Sequence, residues 1–443
     1  MTPRSKASIL RRLPTLHGGQ LRKDLTLSHF RSEARRLGSK WSRRLRRVDR
    51  QVVSLEPEGE VRGSVLLSYI LDPFLLGDDP AQVEARMPRT HTHFWEAWTM
   101  ARTFLEMGRR VDAISWTNGA FEPERAYEVV IDVRLNLERW APRLPAETLR
   151  VLHIDTGHYS FHNPAQRRRL DAVAARRGVP LRGHKLLPEN RAIESAQVAT
   201  VMGDRFTQGT YAFAGRPLLH VPISVPHIYP WIEGKDFASA SRRFVWFGSG
   251  ALVHKGLDLV LEAFAGMPEL HLTVCGPVRR ERDFERAYFR ELYETPNIHT
   301  YGWIDVGSPA FLELARSTLG LVYPSCSEGG GGSVYTCMHA GLVPMTTFET
   351  SVPIDPAWGI ALEDPSVDGI RRAVRALSRR PPAELERMAR AARAAARREN
   401  TQEGFRAGYR QAAARLLDGS WRDVAPPAAP DSATATFAPG HAR

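Results

Sequence analysis

The chain has 443 residues, a formal charge of +12, and 43% hydrophobic and 9% aromatic residues; this exceeds one ordinary core, suits two domains and has the apolar content of a soluble globular protein. Residues 1–50 hold fifteen Lys or Arg against three acids, an excess equal to the charge of the whole chain, so the remainder is formally neutral. Nucleic-acid proteins usually carry their basic surface on the folded body, so no nucleic-acid partner is expected.

Residues 1–60 read as a basic N-terminal extension. Arg35, Arg36, Arg43, Arg44, Arg46 and Arg47 alternate with Leu37, Trp41, Leu45 and Val48 at roughly helical spacing, a pattern able to lie on an anionic membrane face. A solvated charge run and an Arg-rich transit segment fit the same composition. No apolar stretch of signal-peptide type precedes the body, and no run reaches the roughly 20 apolar residues that span a bilayer. The expectation is a cytoplasmic protein, with peripheral attachment to the inner membrane face through residues 1–50 as an option. Cys275, Cys326 and Cys337 are widely spaced in apolar surroundings, which predicts reduced, packed thiols and neither a disulfide nor a zinc site.

From residue 61 short apolar runs alternate with longer amphipathic stretches, the signature of parallel strands joined by crossover helices. Strands are predicted over 64–70, 111–116, 127–133 and 150–155, and helices over 94–107 and 166–177, the second basic and closed by Gly178. Apolar runs over 196–202 and 218–223 complete an N-terminal domain of residues 61–225. Pro222, Pro226 and Pro230 mark a linker. In a second domain over 240–400 the alternation is more regular, with strands over 244–247, 270–275, 298–301, 319–323 and 342–347. Helices are predicted there over 257–264, 281–292, 309–316, 334–340, 367–377 and 383–398. Such continuous apolar strands belong to a sheet covered on both faces. A C-terminal helix over 401–420, able to return to the N-terminal domain, precedes a Pro- and Ala-rich tail over 421–443 that is expected to be disordered.

Two segments carry chemistry. Pro324-Ser325-Cys326-Ser327-Glu328 runs into Gly329, Gly330, Gly331 and Gly332 after a predicted strand, with Ser333 as expected N-cap of the next helix and Thr336 inside it. The glycines let bare N–H groups approach a ligand, and the helix N-terminus favours an anion such as a diphosphate. Glu328 is placed to accept from sugar hydroxyls. Gly248, Ser249 and Gly250 likewise follow a strand, and Lys255 stands just before a helix begins, where the macrodipole disfavours a cation unless an anion shares the spot.

The run Lys255-Gly256-Leu257-Asp258-Leu259-Val260-Leu261-Glu262-Ala263-Phe264, then Asn297-Ile298-His299 with Gly302-Trp303-Ile304-Asp305, then Pro324 to Gly329, resembles the C-terminal half of retaining GT-B glycosyltransferases of family four. The resemblance is specific over residues 244–347. It implies an α/β fold of two Rossmann-like domains with parallel sheets facing across a cleft. It further implies a nucleotide diphosphate sugar held mainly by the C-terminal domain, a glycan, lipid-linked or other acceptor held by the N-terminal one, a hexosyl transfer such as polysaccharide biosynthesis uses, retention of configuration, and neither cofactor nor metal. Lys255 then neutralises the leaving diphosphate and Glu328 touches the donor sugar. Gly248, Ser249, Gly250, Gly329 to Gly332, Ser333 and Thr336 line the donor site. Two departures stand out. The acid that the family places eight positions beyond Glu328 is Thr336 here, and the family's arginine five positions before Lys255 is Gly250.

In the first half, Thr156-Gly157-His158-Tyr159 follows a predicted strand end, and His158 is the candidate cleft histidine. The loop 77–93 borders the acceptor. His91 and His93 are two apart, as metal ligands can be, without a third ligand cluster. The departures at Gly250 and Thr336 keep a non-catalytic sugar-nucleotide or glycan-binding protein of this fold as the alternative. An epimerase would need an acid and base pair that does not stand out.

Overall fold

In the computed structural model residues 48–77, 79–88 and 92–427 are described. The basic arm up to residue 47, the tail beyond 427 and His91 lie outside them. Among the described residues no helix is long and apolar enough to cross a membrane.

The strands form two sheets. The first comprises β1 (Val52–Leu55), β2 (Gly63–Tyr69), β3 (Arg109–Ser115), β4 (Val129–Asp132), β5 (Leu149–Ile154), β6 (Val198–Val201) and β7 (Leu218–His220), in the order β1-β3-β2-β4-β5-β6-β7. All pairings are parallel except β1 with β3. The second comprises β8 (Arg243–Phe247), β9 (His271–Cys275), β10 (Ile298–Gly302), β11 (Gly320–Tyr323), β12 (Val343–Thr346) and β13 (Ile360–Ala361), in the order β10-β9-β8-β11-β12-β13, wholly parallel. Central strands such as β4, β6, β11 and β12 are buried throughout, because crossover helices cover both sheet faces.

Strand order reverses between β2 and β4 in the first sheet and between β8 and β11 in the second. At such a switch point the loops leaving neighbouring strands diverge and open a crevice at the strands' carboxyl ends. The segments following β8 and β11, which hold Lys255 and Glu328, leave the two sides of that crevice.

The halves are joined by side chains as well as chain. Helix α1 (Thr92–Glu106) covers the first sheet. Helix α2 (Tyr159–Arg177) is the basic helix, and it docks against helix α3 (Leu257–Ala265) of the second half: Arg176 Nη2 donates to Asp258 Oδ2 at 2.7 Å and its Nε to Glu262 Oε2 at 3.0 Å. Arg177 bonds Glu291 at 2.8 Å. Helix α4 (Gly332–His339) follows the glycine run and packs on α5 (Pro382–Glu399). Helix α6 (Gln402–Asp418) returns to α1, where Tyr409 meets Phe104 edge-on at 6.2 Å and Arg410 bonds Glu106 at 2.6 Å.

Several elements differ from the sequence reading. The predicted helix over 281–292 is two helices, Arg282–Ala287 and Phe289–Tyr293. Between them Tyr288 is fully buried, stacks on Phe284 at 4.7 Å and donates to Glu262 at 2.7 Å. Helix α2 begins at Tyr159, seven positions earlier than predicted. Strand β1 was not predicted, since its Val-Val-Ser-Leu is half exposed at a sheet edge.

Candidate donor and acceptor cleft

The turn carrying Lys255 is built by its glycines. Gly256 has φ +69°, and a Cβ there would lie 2.6 Å from the carbonyl oxygen of Pro324, so only glycine lets the turn close against the end of β11. Gly248 leaves room for the lysine stem: a Cβ would stand 3.1 Å from Lys255 Cδ and 2.8 Å from the Trp246 ring. Trp246 Nε1 donates to the Lys255 carbonyl at 3.0 Å. His254 laces this turn to the next, with Nε2 2.5 Å from the Ser327 carbonyl and its own carbonyl accepting from Cys326 N at 3.0 Å.

Lys255 and Glu328 meet. The ammonium lies 2.6 Å from Glu328 Oε1 and donates to the Tyr323 hydroxyl at 2.5 Å. Ser325 Oγ donates to the same carboxylate oxygen at 2.9 Å, and Lys185, from the N-terminal half, donates to Oε2 at 3.0 Å. Burial alone would push the Glu328 carboxyl up, but Lys185, Lys255 and the hydrogen bonds outweigh it and hold it well below its ordinary 4.5. A carboxyl depressed in the folded state stabilises the protein above its ordinary value and loses that stabilisation as pH falls through the folded value. Glu328→Gln is therefore expected to cost about 1–3 kcal/mol at pH 7, with the gap to wild type narrowing below pH 4.5. Thermal melts of both proteins against pH check this; a constant gap would contradict it.

The glycine run serves two ends. A Cβ on Gly329 would fall on the carbonyl of Asp155 and the Cα of Thr156, so this residue is where the backbones of the two halves touch. Gly331, at φ +65°, is the actual N-cap of α4. Ser333 lies in the first turn instead of capping it, because the left-handed glycine turns the chain into the helix without a side-chain cap. Thr336 Oγ1 donates to the Gly332 carbonyl at 2.8 Å, a bond within its own helix. Gly250 has φ +136°, a backbone conformation that side chains rarely adopt. All six glycines Gly248, Gly250 and Gly329 to Gly332, with Ser249, Lys255, Glu328, Ser333 and Thr336, line one cavity of about 720 Å³.

The N-terminal half supplies the opposite wall: Thr92, His93, Arg134, Asp155 and Thr156. Arg134 donates to Asp155 Oδ1 at 2.7 Å, and His93 Nδ1 lies 3.9 Å from Oδ2. Against burial, which raises it, Arg134 and His93 hold the Asp155 carboxyl below its ordinary value. Beneath them Glu96 is wholly buried; Oε1 accepts from Ser224, and burial lifts the carboxyl to about 7.

His158 does not line this cavity. Its Nδ1 caps α2 by accepting from Ser160 N, and its ring packs among Tyr159, Tyr211 and Phe213 at 4.5–5.1 Å. Burial lowers it to about 4, so it is neutral at physiological pH. The histidines that line the cleft are His93 and His184; the sequence offered His93 as half of a metal pair and as the end of the loop bordering the acceptor, and gave no sign of His184. Among the described residues no group of three or more His, Cys, Asp or Glu could hold a metal ion. Sequence reasoning also missed Arg134, Asp155 and Lys185. The first two follow strand ends and carry that weak signal; Lys185 sits in an aperiodic loop and carries none.

No protein-family model matches the chain, and no curated protein matches it. Among solved structures it is similar to sucrose-phosphate synthase from Thermosynechococcus elongatus, with TM-score 0.55 and 12% identity over 80% of this chain and 99% of that one. TarM from S. aureus, solved with UDP, fondaparinux and alpha-GlcNAc-glycerol, aligns at TM-score 0.45 and 10% identity over 66% of this chain. HepE from Anabaena, solved with UDP and glucose, aligns at TM-score 0.44 and 12% identity over 66% of this chain and 78% of that one. The chain covers 55% of the TarM chain. At such identities the likeness is one of fold: two Rossmann-like domains with parallel sheets facing across a cleft, the GT-B architecture.

Proposed function

We propose that the chain is a glycosyltransferase that moves a sugar from a nucleoside diphosphate sugar to a hydroxyl acceptor within this cleft. The observation that carries the reading is the meeting of Lys255, Glu328 and the glycine run at one switch point. There a fixed ammonium, backbone N–H groups and the N-terminus of α4 face the place a diphosphate would take. In transfer, the bond from sugar C1 to the diphosphate oxygen breaks with its electron pair left on that oxygen. The acceptor hydroxyl oxygen bonds to C1, and its proton passes to the released diphosphate. Charge grows on the leaving oxygens, so a cation already in place lowers the barrier more than it tightens the ground state. Glu328 orients the sugar, and Thr92, His93, Arg134 and Asp155 form the acceptor wall. A glycan or lipid-linked acceptor, retention of configuration, catalysis without metal and membrane docking through residues 1–50 are parts of the same proposal, supported by the family resemblance and the basic arm.

Incubation of purified protein with UDP-, GDP- and ADP-sugars and a panel of sugar and lipid-linked acceptors, in chelator, tests the reading. Release of nucleoside diphosphate with a glycosylated product of unchanged anomeric configuration is expected. A chain that neither binds nor turns over any of these donors is not a transferase. Binding of a donor with no product on any acceptor would favour the second reading, a non-catalytic sugar-nucleotide-binding protein. That alternative draws on Gly250, which brings no cation, and on Thr336, whose hydroxyl is committed to its own helix.

A further inference from the structure

We propose that Lys185, contributed by the N-terminal half, is the second cation of the diphosphate site, supplying from across the cleft the charge that Gly250 cannot. The proposal rests on the sugar-transfer reading and adds a residue to it.

A nucleoside diphosphate brings more than one negative charge. Lys255 alone does not balance it, and Gly250 before it has no side chain and a left-handed backbone, φ +136°; of the other cations lining the cavity, Arg134 is bound to Asp155 and Arg280 lies over the Trp303 ring. Lys185 and Lys255 flank one carboxylate, at 3.0 Å from Glu328 Oε2 and 2.6 Å from Oε1. Two ammonium groups against one carboxylate leave the cluster with a net positive charge, and both lysines line the cavity beside the glycine run. The field there favours an anion.

Lys185 is held in place by its backbone. Its carbonyl accepts from His162 Nε2 at 2.7 Å, and Leu187 N donates to Asn163 Oδ1 at 2.9 Å, both partners lying on α2. On the other side Arg182 N donates to Asp283 Oδ2 at 2.7 Å, and His184 Nε2 lies 3.5 Å from Asp283 Oδ1. The segment is thus a strap pinned to both halves. The lysine side chain keeps about a third of its surface exposed, at 31%, and its ammonium, paired with Glu328 at 3.0 Å, borders the space that an incoming phosphate would enter.

A lysine that only ties the halves together would weaken every ligand of the cleft alike when removed; one that meets phosphate would weaken phosphate-bearing ligands alone. The test is calorimetric binding of UDP, GDP, ADP, their nucleosides and inorganic pyrophosphate to the full chain, as wild type, Lys185→Met and Lys185→Arg. For the diphosphates that wild type binds, Lys185→Met is expected to lose about tenfold or more in affinity, Lys185→Arg to keep most of it, and nucleoside affinity to stay unchanged. Equal diphosphate affinity in Lys185→Met and wild type would overturn the assignment and leave the transferase reading standing, as would equal losses for diphosphate and nucleoside. A wild-type chain that binds neither a nucleoside diphosphate nor pyrophosphate would overturn both.

Discussion

Lys255→Ala is expected to lower sugar transfer by about 10²–10³-fold, the loss that follows removal of one fixed donor from a site where negative charge develops. The side chain is 8% exposed and carries its charge to Glu328 and the Tyr323 hydroxyl, not to solvent. Without it Glu328 keeps Lys185, Ser325 and Tyr323 as partners, so the folded state is expected to lose only about 1–3 kcal/mol. The kinetic loss should therefore appear in a protein whose melting curve remains cooperative, and mainly in kcat. Lys255→Arg is not expected to restore it, because a compact ammonium fits between Tyr323 and Glu328 whereas a planar fork does not. Turnover of Lys255→Ala at the wild-type rate, on the donor that the panel identifies, would remove this residue from the chemistry.

Gly329→Ala is expected to be the most damaging single-methyl change in the cleft. The added carbon would occupy the space of the Asp155 carbonyl and the Thr156 Cα, which are backbone atoms at the end of β5 and cannot rotate aside. Relief requires the two halves to part, at a cost of about 3 kcal/mol or more, and parting would carry Asp155, Arg134 and Lys185 away from the donor side. Gly332→Ala is the matched control. There the nearest atom to a new Cβ is Ile223 Cδ1 at 3.4 Å, the residue opens α4, and near-wild-type stability is expected. Melting temperatures of the pair decide the matter; equal stability would mean that the close approach does not hold the halves together.

The second half was read well from sequence because its strands are buried on both faces and so appear as unbroken apolar runs between glycine-marked turns. Lys255 and Glu328 shared that visibility, each lying on a turn that follows such a run. What the sequence concealed lay in contacts between the halves. The glycine run looks like a phosphate cradle, yet Gly329 is also demanded by a backbone some 170 positions earlier in the chain, at Asp155. His158 looked like a cleft residue because it follows a strand end. The polar and aromatic start of α2, Tyr-Ser-Phe-His-Asn-Pro, hid the helix that it caps. Lys185 could not be recognised at all, since its role comes from a strap whose anchors, His162, Asn163 and Asp283, are brought together only by the fold.

The return of α6 to α1 bears on how the protein is made. Glu106 and Arg410 are 304 positions apart, and Phe405, Tyr409, Ala412, Ala413 and Leu416 of α6 are all buried. At ribosomal speeds roughly 15–60 s separate the synthesis of the two partners. During that interval the first sheet emerges with an apolar flank of α1 uncovered, while the second half can close on itself without waiting. The domain that begins the chain is thus the last to be finished, and chains released before α6 would leave it as the half that chaperones and proteases meet.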